Sequence, residues 1–322
     1  MTLRLKNAYF LRVGRPEKGG NIMVPTWLFR LPENRLTGFV PNSSPANNDL
    51  LEIIHAFAKG YNRALTGIPD VSDLPHRLHG FAFEGAAMSC ALLDTITMSG
   101  NRRLRALEES TRGSYVHLIH VGAGWAMARL RRTRWQGVAH PMLRWLAWDG
   151  WGFHQAYFHP RRVFHDHWIE RGARGATRPI RDQGAGRALW FRTGSDPRLI
   201  ARLIEEFPEH RRSDLWAGIG LAAAYTGLSR PMDELLAAGA GHRAHLAQGA
   251  AFAAKAHVLS GHVPPGSARD IEVLTGVAPD LAAEWTDRAL ARVPRADSPL
   301  DYERWRAEIR GTYERHAGGV LR

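Results

Sequence analysis

The sequence predicts an all-α protein: a helical-hairpin repeat, an α-solenoid or curved helical bundle, preceded by an irregular N-terminal arm. Three observations predict it. From Ser44 onward apolar residues fall at helical spacing, beginning with Leu50, Ile53, Ile54, Phe57 and Tyr61. Six segments carry a glycine-rich phrase, and the steps between Gly85, Gly122, Gly150, Gly184, Gly218 and Gly249 are 37, 28, 34, 34 and 31 residues. That rhythm is close to the ~34-residue period of tetratricopeptide-type helical hairpins. A glycine inside a helix costs about 1 kcal/mol relative to alanine. Close backbone approach between stacked helices is the reason for repeating it in every unit.

The elements follow in order. Residues 1–43 are the irregular arm, in which "GRPEKGG", "PTW" and "VPNSSP" supply turn chemistry and strand-like pieces are short. Residues 44–322 form one helical-repeat domain. Ser44-Pro45 makes a good helix start. The glycine phrases "FEGAAMSCALL", "HVGAGWAMARL", "WDGWGFHQAYF", "DQGAGRALWF", "WAGIGLAAAY" and "AQGAAFAAKA" are read as helices. Pro160 ends the third of them at or before His159. The segments "VAPDLAAEWTDRALARV" and "SPLDYERWRAEIRGTYERH" are read as terminal capping helices, the second opening on Ser298 with Asp301 and Glu303 in its first turn.

Composition narrows the function. The net charge is +12, and 39 of the 43 basic residues are arginines, scattered among acids as in "RALEESTRGS". A nucleic-acid partner is not expected from such a pattern. The longest basic cluster, "RLRRTRW" from Arg129 to Trp135, is read as a solvated helix end, with an acidic protein or an anionic membrane surface as the alternative. Cys90 is the one cysteine and sits in an apolar run, so no disulfide within the chain is possible and a reducing, cytoplasmic setting is expected. No stretch reaches the ~20 apolar residues of a membrane span. The chain has no phosphate loop, no GxGxxG after a strand and no GxSxG elbow, and nothing in the sequence identifies a cofactor.

Chemistry concentrates at the glycine phrases. Glu84, Asp149, Gln183 and Gln248 immediately precede a glycine; His120 and Asp182 lie two before one. If the repeats align, these side chains line one surface, either as interhelical hydrogen bonds or as a ligand site. Gln183 and Arg187 share a helical face, as do Gln248, Phe252 and Lys255. The stretch Trp145–Trp168 carries Trp148, Asp149, Trp151, Phe153 and His154, and indoles around an acid would raise its pKa as a general acid requires. His154, His159, His165, Asp166 and His167 are numerous but match no metal-ligand spacing, so no metal is expected.

Seven phrases, "GFAFEGAAM", "HVGAGWA", "DGWGFH", "FHPRR", "DQGAGRALWF", "DLWAGIGLAAAY" and "HLAQGAAFAAKA", resemble in sequence and order the bacterial domain-of-unknown-function family 1702, over roughly residues 45–312. Members are often labelled enediyne biosynthesis proteins. Where members often carry Glu after "GFH", this chain has Gln155. The resemblance implies a role beside an iterative polyene-making polyketide synthase, a β-propeller-like partner and a membrane partner similar to an electron-transport subunit. The expected function is binding of, or action on, a long apolar polyene during enediyne-type maturation. Asp149 or Glu84 would be the acid or base, with His120, His154 or Asp182 moving protons. Trp148, Trp151, Phe153, Trp190, Gln183, Arg187, Gln248 and Lys255 would hold the chain. The rivals are an isoprenoid cyclase, in which an acid protonates an alkene among aromatic faces, and a non-catalytic scaffold docking biosynthetic partners on its concave face.

Overall fold

The computed structural model of the chain describes residues 10–13, 22–32, 34–37, 47–132, 140–170, 175–228, 232–295 and 297–320. The arm holds an antiparallel hairpin of β1 (Phe10–Val13) and β2 (Ile22–Pro25), Phe10 opposite Pro25. A 3-10 turn at Thr26–Phe29 and the one-turn helix α1 (Asn34–Thr37) follow. The Ser44-Pro45 start and residues 133–135 of the basic cluster lie outside the described residues.

The rest is helical. The chain runs α2 (Asn47–Ala64), α3 (His76–Thr97), α4 (Arg102–Ser110), α5 (Val116–Leu130), α6 (Leu146–Phe158), α7 (Thr177–Arg192) and α8 (Pro197–Glu205). It continues through α9 (Glu209–Thr226), α10 (Met232–Ala238), α11 (Arg243–Ser260), α12 (Pro265–Thr275), α13 (Pro279–Ala291) and α14 (Pro299–Val320). The long helices pack side by side in the order α2, α3, α5, α6, α7, α9, α11, and α4, α8 and α10 are short connectors. The repeat unit is thus one long helix with its link, and all six glycine phrases lie on long helices.

The glycines set the register of this row. In an α-helix each residue turns the side-chain direction by about 100°, so residues two apart point about 200° apart, to opposite sides. A G-x-G phrase therefore offers one glycine to the preceding helix and one to the following helix. Gly184 of α7 lies on the Asp149 carbonyl of α6, and Gly186 lies on the Leu215 carbonyl of α9. From α5 onward the first glycine meets the carbonyl just before its predecessor's glycine: Gly122 on Glu84, Gly150 on Val121, Gly218 on Gln183, Gly249 on Ala217. The second meets the carbonyl three residues before its successor's: Gly124 on Ala147, Gly152 on Arg181, Gly220 on Leu246. At each of these a Cβ would fall well under 3.0 Å from a backbone oxygen. The helices pack backbone to backbone, with Cα–H groups aimed at carbonyls.

The row curls until its start touches its end. Phe81 of α3 packs edge-on against Tyr225 of α9 at 5.1 Å, and His76 stacks on His262, just past α11, at 4.5 Å. The inner face of the curl is filled by its own side chains, so the concave surface of an open solenoid is here a core. Helix α14, read from the sequence as a terminal cap, also enters that core. Ser298 and Asp301 hydrogen-bond reciprocally at its start, and the fully buried Arg306 reaches inward.

On α12, Asp270 is buried, and its Oδ1 has no hydrogen-bond partner; burial pushes its carboxyl up to about 6, against the pull of Arg269. A carboxyl whose folded pKa is raised contributes least strain while protonated, so stability should fall as pH rises from about 4 through about 6. Asp270→Asn is expected to raise the melting temperature at pH 8 and leave it nearly unchanged at pH 4, by calorimetry at both values.

Candidate functional site

The residue just before each first glycine points into the curl, and so does the residue three after it. These positions put Glu84 from α3, Trp125 from α5, Asp149 and Phe153 from α6, and Gln183 and Arg187 from α7 around one centre. Arg187 is the hub. Its Nη1 lies 2.5 Å from Asp149 Oδ1, and its Nη2 lies 3.6 Å from Glu84 Oε1. Gln183 Nε2 donates to Asp149 Oδ2 at 2.8 Å, and Trp125 Nε1 donates to Glu84 Oε1 at 3.0 Å. The chain of bonds continues from Gln183 to Gln248 at 3.2 Å and from Gln248 to Arg306 at 3.2 Å. Arg306 closes on Asp214 and Glu303, each at 2.7 Å. All of Glu84, Asp149, Gln183, Arg187, Gln248 and Arg306 are buried.

One arginine thus serves two carboxylates, and the two are not equivalent. Asp149 takes the close, charge-assisted bond together with a second donor. Glu84 is held at longer range. Burial pushes the Glu84 carboxyl up and the Asp149 charge adds to this, against the pull of Arg187 and the Trp125 N–H. The arrangement sets a carboxyl that burial pushes toward its neutral form beside one held in a close ion pair with the same arginine.

Two small apolar hollows flank this layer, and Arg187 borders both. One is walled by Leu36, Ile54, Phe57, Phe81, Trp125 and Phe153, with Glu84 and Arg187 at its floor. The other is walled by Leu118, Leu146, Tyr225, Phe252 and Trp305, with Asp149 and His117 at its edge. Each measures about 40 Å³. The Arg187 guanidinium sits 5.1 Å from the Phe153 ring centroid. The Tyr157 hydroxyl donates to the Leu36 carbonyl at 2.8 Å and fastens α1 over the first hollow.

The remaining sequence candidates lie elsewhere, and helix geometry explains why. A residue two before the glycine is rotated about 100° from one just before it. Asp182 therefore turns to α9 and binds Arg211 through both oxygens, at 2.5 and 2.9 Å. His120 is buried away from Asp149; its Nδ1 meets the Val116 carbonyl at 2.7 Å and burial lowers its pKa to about 4. Trp151 follows Gly150 and points outward, where it pairs with Trp148 at 5.4 Å and donates to Glu170 at 2.8 Å. The indoles expected around Asp149 are thus on the opposite side of α6. His154 is also on that outer side. Trp190 is fully buried in the core and borders neither hollow. Lys255 pairs with Asp287 at 2.7 Å.

Trp125, Phe57, Phe81, Tyr157 and Arg306 were not among the site residues expected from the sequence. Trp125 had a signal, since it stands three residues after Gly122, as Phe153 does after Gly150. Arg306 had none, because its place depends on how α14 folds back. Among the described residues no group of three His, Cys, Asp or Glu could hold a metal ion, and no helix is long and apolar enough to cross a membrane.

No curated protein and no solved structure matches this chain. The glycine-registered core that builds the Glu84–Arg187–Asp149 centre falls almost wholly within residues 32–313, which match the family described as "Protein of unknown function (DUF1702)"; the chain belongs to that family.

Proposed function

We propose that this is a natural-product biosynthesis protein that binds an apolar, unsaturated chain in the aromatic hollow of the interior and acts on it by acid chemistry, as in enediyne-type polyketide maturation. The observation that carries the reading is the Glu84 carboxyl at the floor of a pocket walled by Ile54, Phe57, Phe81, Trp125 and Phe153. A neutral carboxylic acid there can give its proton to an alkene carbon or a carbonyl oxygen. The carboxylate left behind lies 3.6 Å from Arg187, which stabilises it. Asp149 keeps Arg187 in place, so its part is positioning. At about 40 Å³ the hollow holds only a few waters, and a chain enters by displacing wall side chains.

The same pocket supports isoprenoid cyclisation, because a cation formed by protonation would lie against the faces of Phe57, Phe81 and Trp125. The scaffold reading loses its proposed docking strip, since the polar residues that would have formed it are buried.

The full chain, incubated separately with a linear conjugated polyene and with a prenyl alcohol that carries no diphosphate, is expected to retain one of them in native mass spectrometry. Ile54→Trp, which fills the hollow, is expected to abolish retention while the circular dichroism spectrum stays unchanged. Retention unaffected by Ile54→Trp, or no retention of either class at micromolar concentration, would contradict the interior site.

A further inference from the structure

On the outer side of α6 lies a cleft of about 400 Å³ between the ends of α5 and α6 and the segment after α6. Its lining includes Arg129 and Arg131 at the end of α5, His154 and His159 at the end of α6, and Arg162 and Trp168 beyond it. Charge in the cleft is one-sided. Four guanidinium groups, of Arg129, Arg131, Arg162 and Arg181, face one carboxylate, that of Glu170. Glu170 is already committed, accepting from Arg181 at 2.6 Å and from Trp151 Nε1 at 2.8 Å. Among the described residues no carboxylate pairs with Arg129, Arg131 or Arg162. The Arg162 guanidinium carbon lies 4.2 Å from the centroid of the Trp168 ring, which it packs over.

His154 supplies an independent pointer to a ligand. It lines the cleft, is 5% exposed, and neither of its ring nitrogens has a hydrogen-bond partner. A buried polar group left unbonded costs about 1–3 kcal/mol, so a ring with both nitrogens unused at the back of a cationic cleft marks where an acceptor belongs. Its ring is 6.5 Å from that of His159 and packs edge-on to Trp125 at 5.9 Å, so the ring is fixed by its neighbours rather than swinging free.

We infer that this cleft binds a phosphate or diphosphate group, with His154 donating a ring N–H to an oxyanion oxygen and Arg129, Arg131 and Arg162 supplying the counter-charge. Guanidinium forks match oxyanion geometry, and a volume of about 400 Å³ accommodates a diphosphate with part of the organic group that carries it. Trp168, beside Arg162, offers an aromatic face for that organic part. The assignment stands apart from the interior hollow, since none of its three arginines or its histidines borders Glu84 or Asp149.

Isothermal titration of the full chain with inorganic pyrophosphate, and separately with a phosphate monoester such as phosphopantetheine, tests it. At least one is expected to bind at a single site. Arg162→Gln and Arg129→Gln are each expected to weaken binding roughly tenfold or more, the loss of one charge-assisted hydrogen bond. His154→Gln, which leaves the surface charge as it is, is expected to weaken it severalfold. Arg198→Gln, which removes the same charge from the exposed surface of α8, is expected to leave binding unchanged. Tighter binding of the monoester than of pyrophosphate would identify an organic phosphate as the ligand; the reverse would identify a diphosphate. Absence of saturable binding to both, or equal weakening by Arg198→Gln and Arg162→Gln, would overturn the assignment.

Discussion

Gly184→Ala is expected to leave little folded protein. A Cβ at this position would fall well inside the van der Waals distance of the Asp149 carbonyl oxygen and crowd the Phe153 amide, both backbone groups of α6. No rotamer relieves such a clash, so α6 and α7 must move apart. Ordinary overpacking of a core costs about 1–3 kcal/mol, and here the shift also displaces Asp149 and Gln183, whose bonded layer spans the same two helices. A loss of about 3–5 kcal/mol is therefore expected, a large part of the stability of a typical domain. Gly67→Ala provides the matched control. It lies in the link after α2 with nothing within 4 Å of the added atom, and is expected to change stability by about 0.5 kcal/mol or less. Denaturant midpoints of the two variants, where Gly184→Ala can be obtained folded, check the contrast; similar midpoints would mean that the glycines do not set the helix spacing.

How much of this was legible beforehand depends on the length scale of each signal. Helical periodicity and the recurring glycines are local patterns, and they predict the row of helices and the close approach. The clustering of Glu84, Asp149, Gln183 and Gln248 also follows from one local rule, the phase of each residue against its glycine. The same rule, applied more strictly, separates Asp182 and His120 from that set, because one residue more is about 100° of rotation. It turns Trp151 away from Asp149, since the two flank Gly150 on opposite sides. The second glycine of each G-x-G phrase held information that a single repeat spacing misses, namely that both sides of α5, α6, α7 and α9 are packed on backbone. Closure of the curl was not legible, because the meetings of His76 with His262 and Phe81 with Tyr225 join residues far apart in the chain. Nor was the entry of Arg306, whose helix reads locally as an exposed, charge-rich cap.

The two carboxylates beside Arg187 should respond in opposite ways to neutralisation. Asp149→Asn removes the counter-charge that lies 2.5 Å from a buried guanidinium. Breaking a buried pair by deleting one partner typically costs about 3–5 kcal/mol, so this variant is expected to be severely destabilised, and any loss of activity would track loss of fold. Glu84→Gln replaces a carboxyl that burial already pushes toward its neutral form. The amide oxygen can still accept from Trp125, and Arg187 keeps Asp149. Stability at neutral pH should therefore stay within about 1 kcal/mol of the parent, while conversion of the unsaturated chain falls ~10²–10⁴-fold with loss of the acid. The sign of the pH effect follows. A carboxyl with a raised folded pKa favours the folded state below its ordinary range, and that contribution is lost as pH rises through the raised value. Glu84→Gln should remove this component of the decline.

The proposed chemistry requires Glu84 to be a neutral acid in the folded protein. Infrared difference spectroscopy of the parent against Glu84→Gln at neutral pH reads that state without any substrate. A protonated carboxylic-acid carbonyl band is expected in the parent, missing from Glu84→Gln and lost when the protein is unfolded. A carboxylate band in its place, with no protonated carbonyl signal assignable to Glu84, would contradict it.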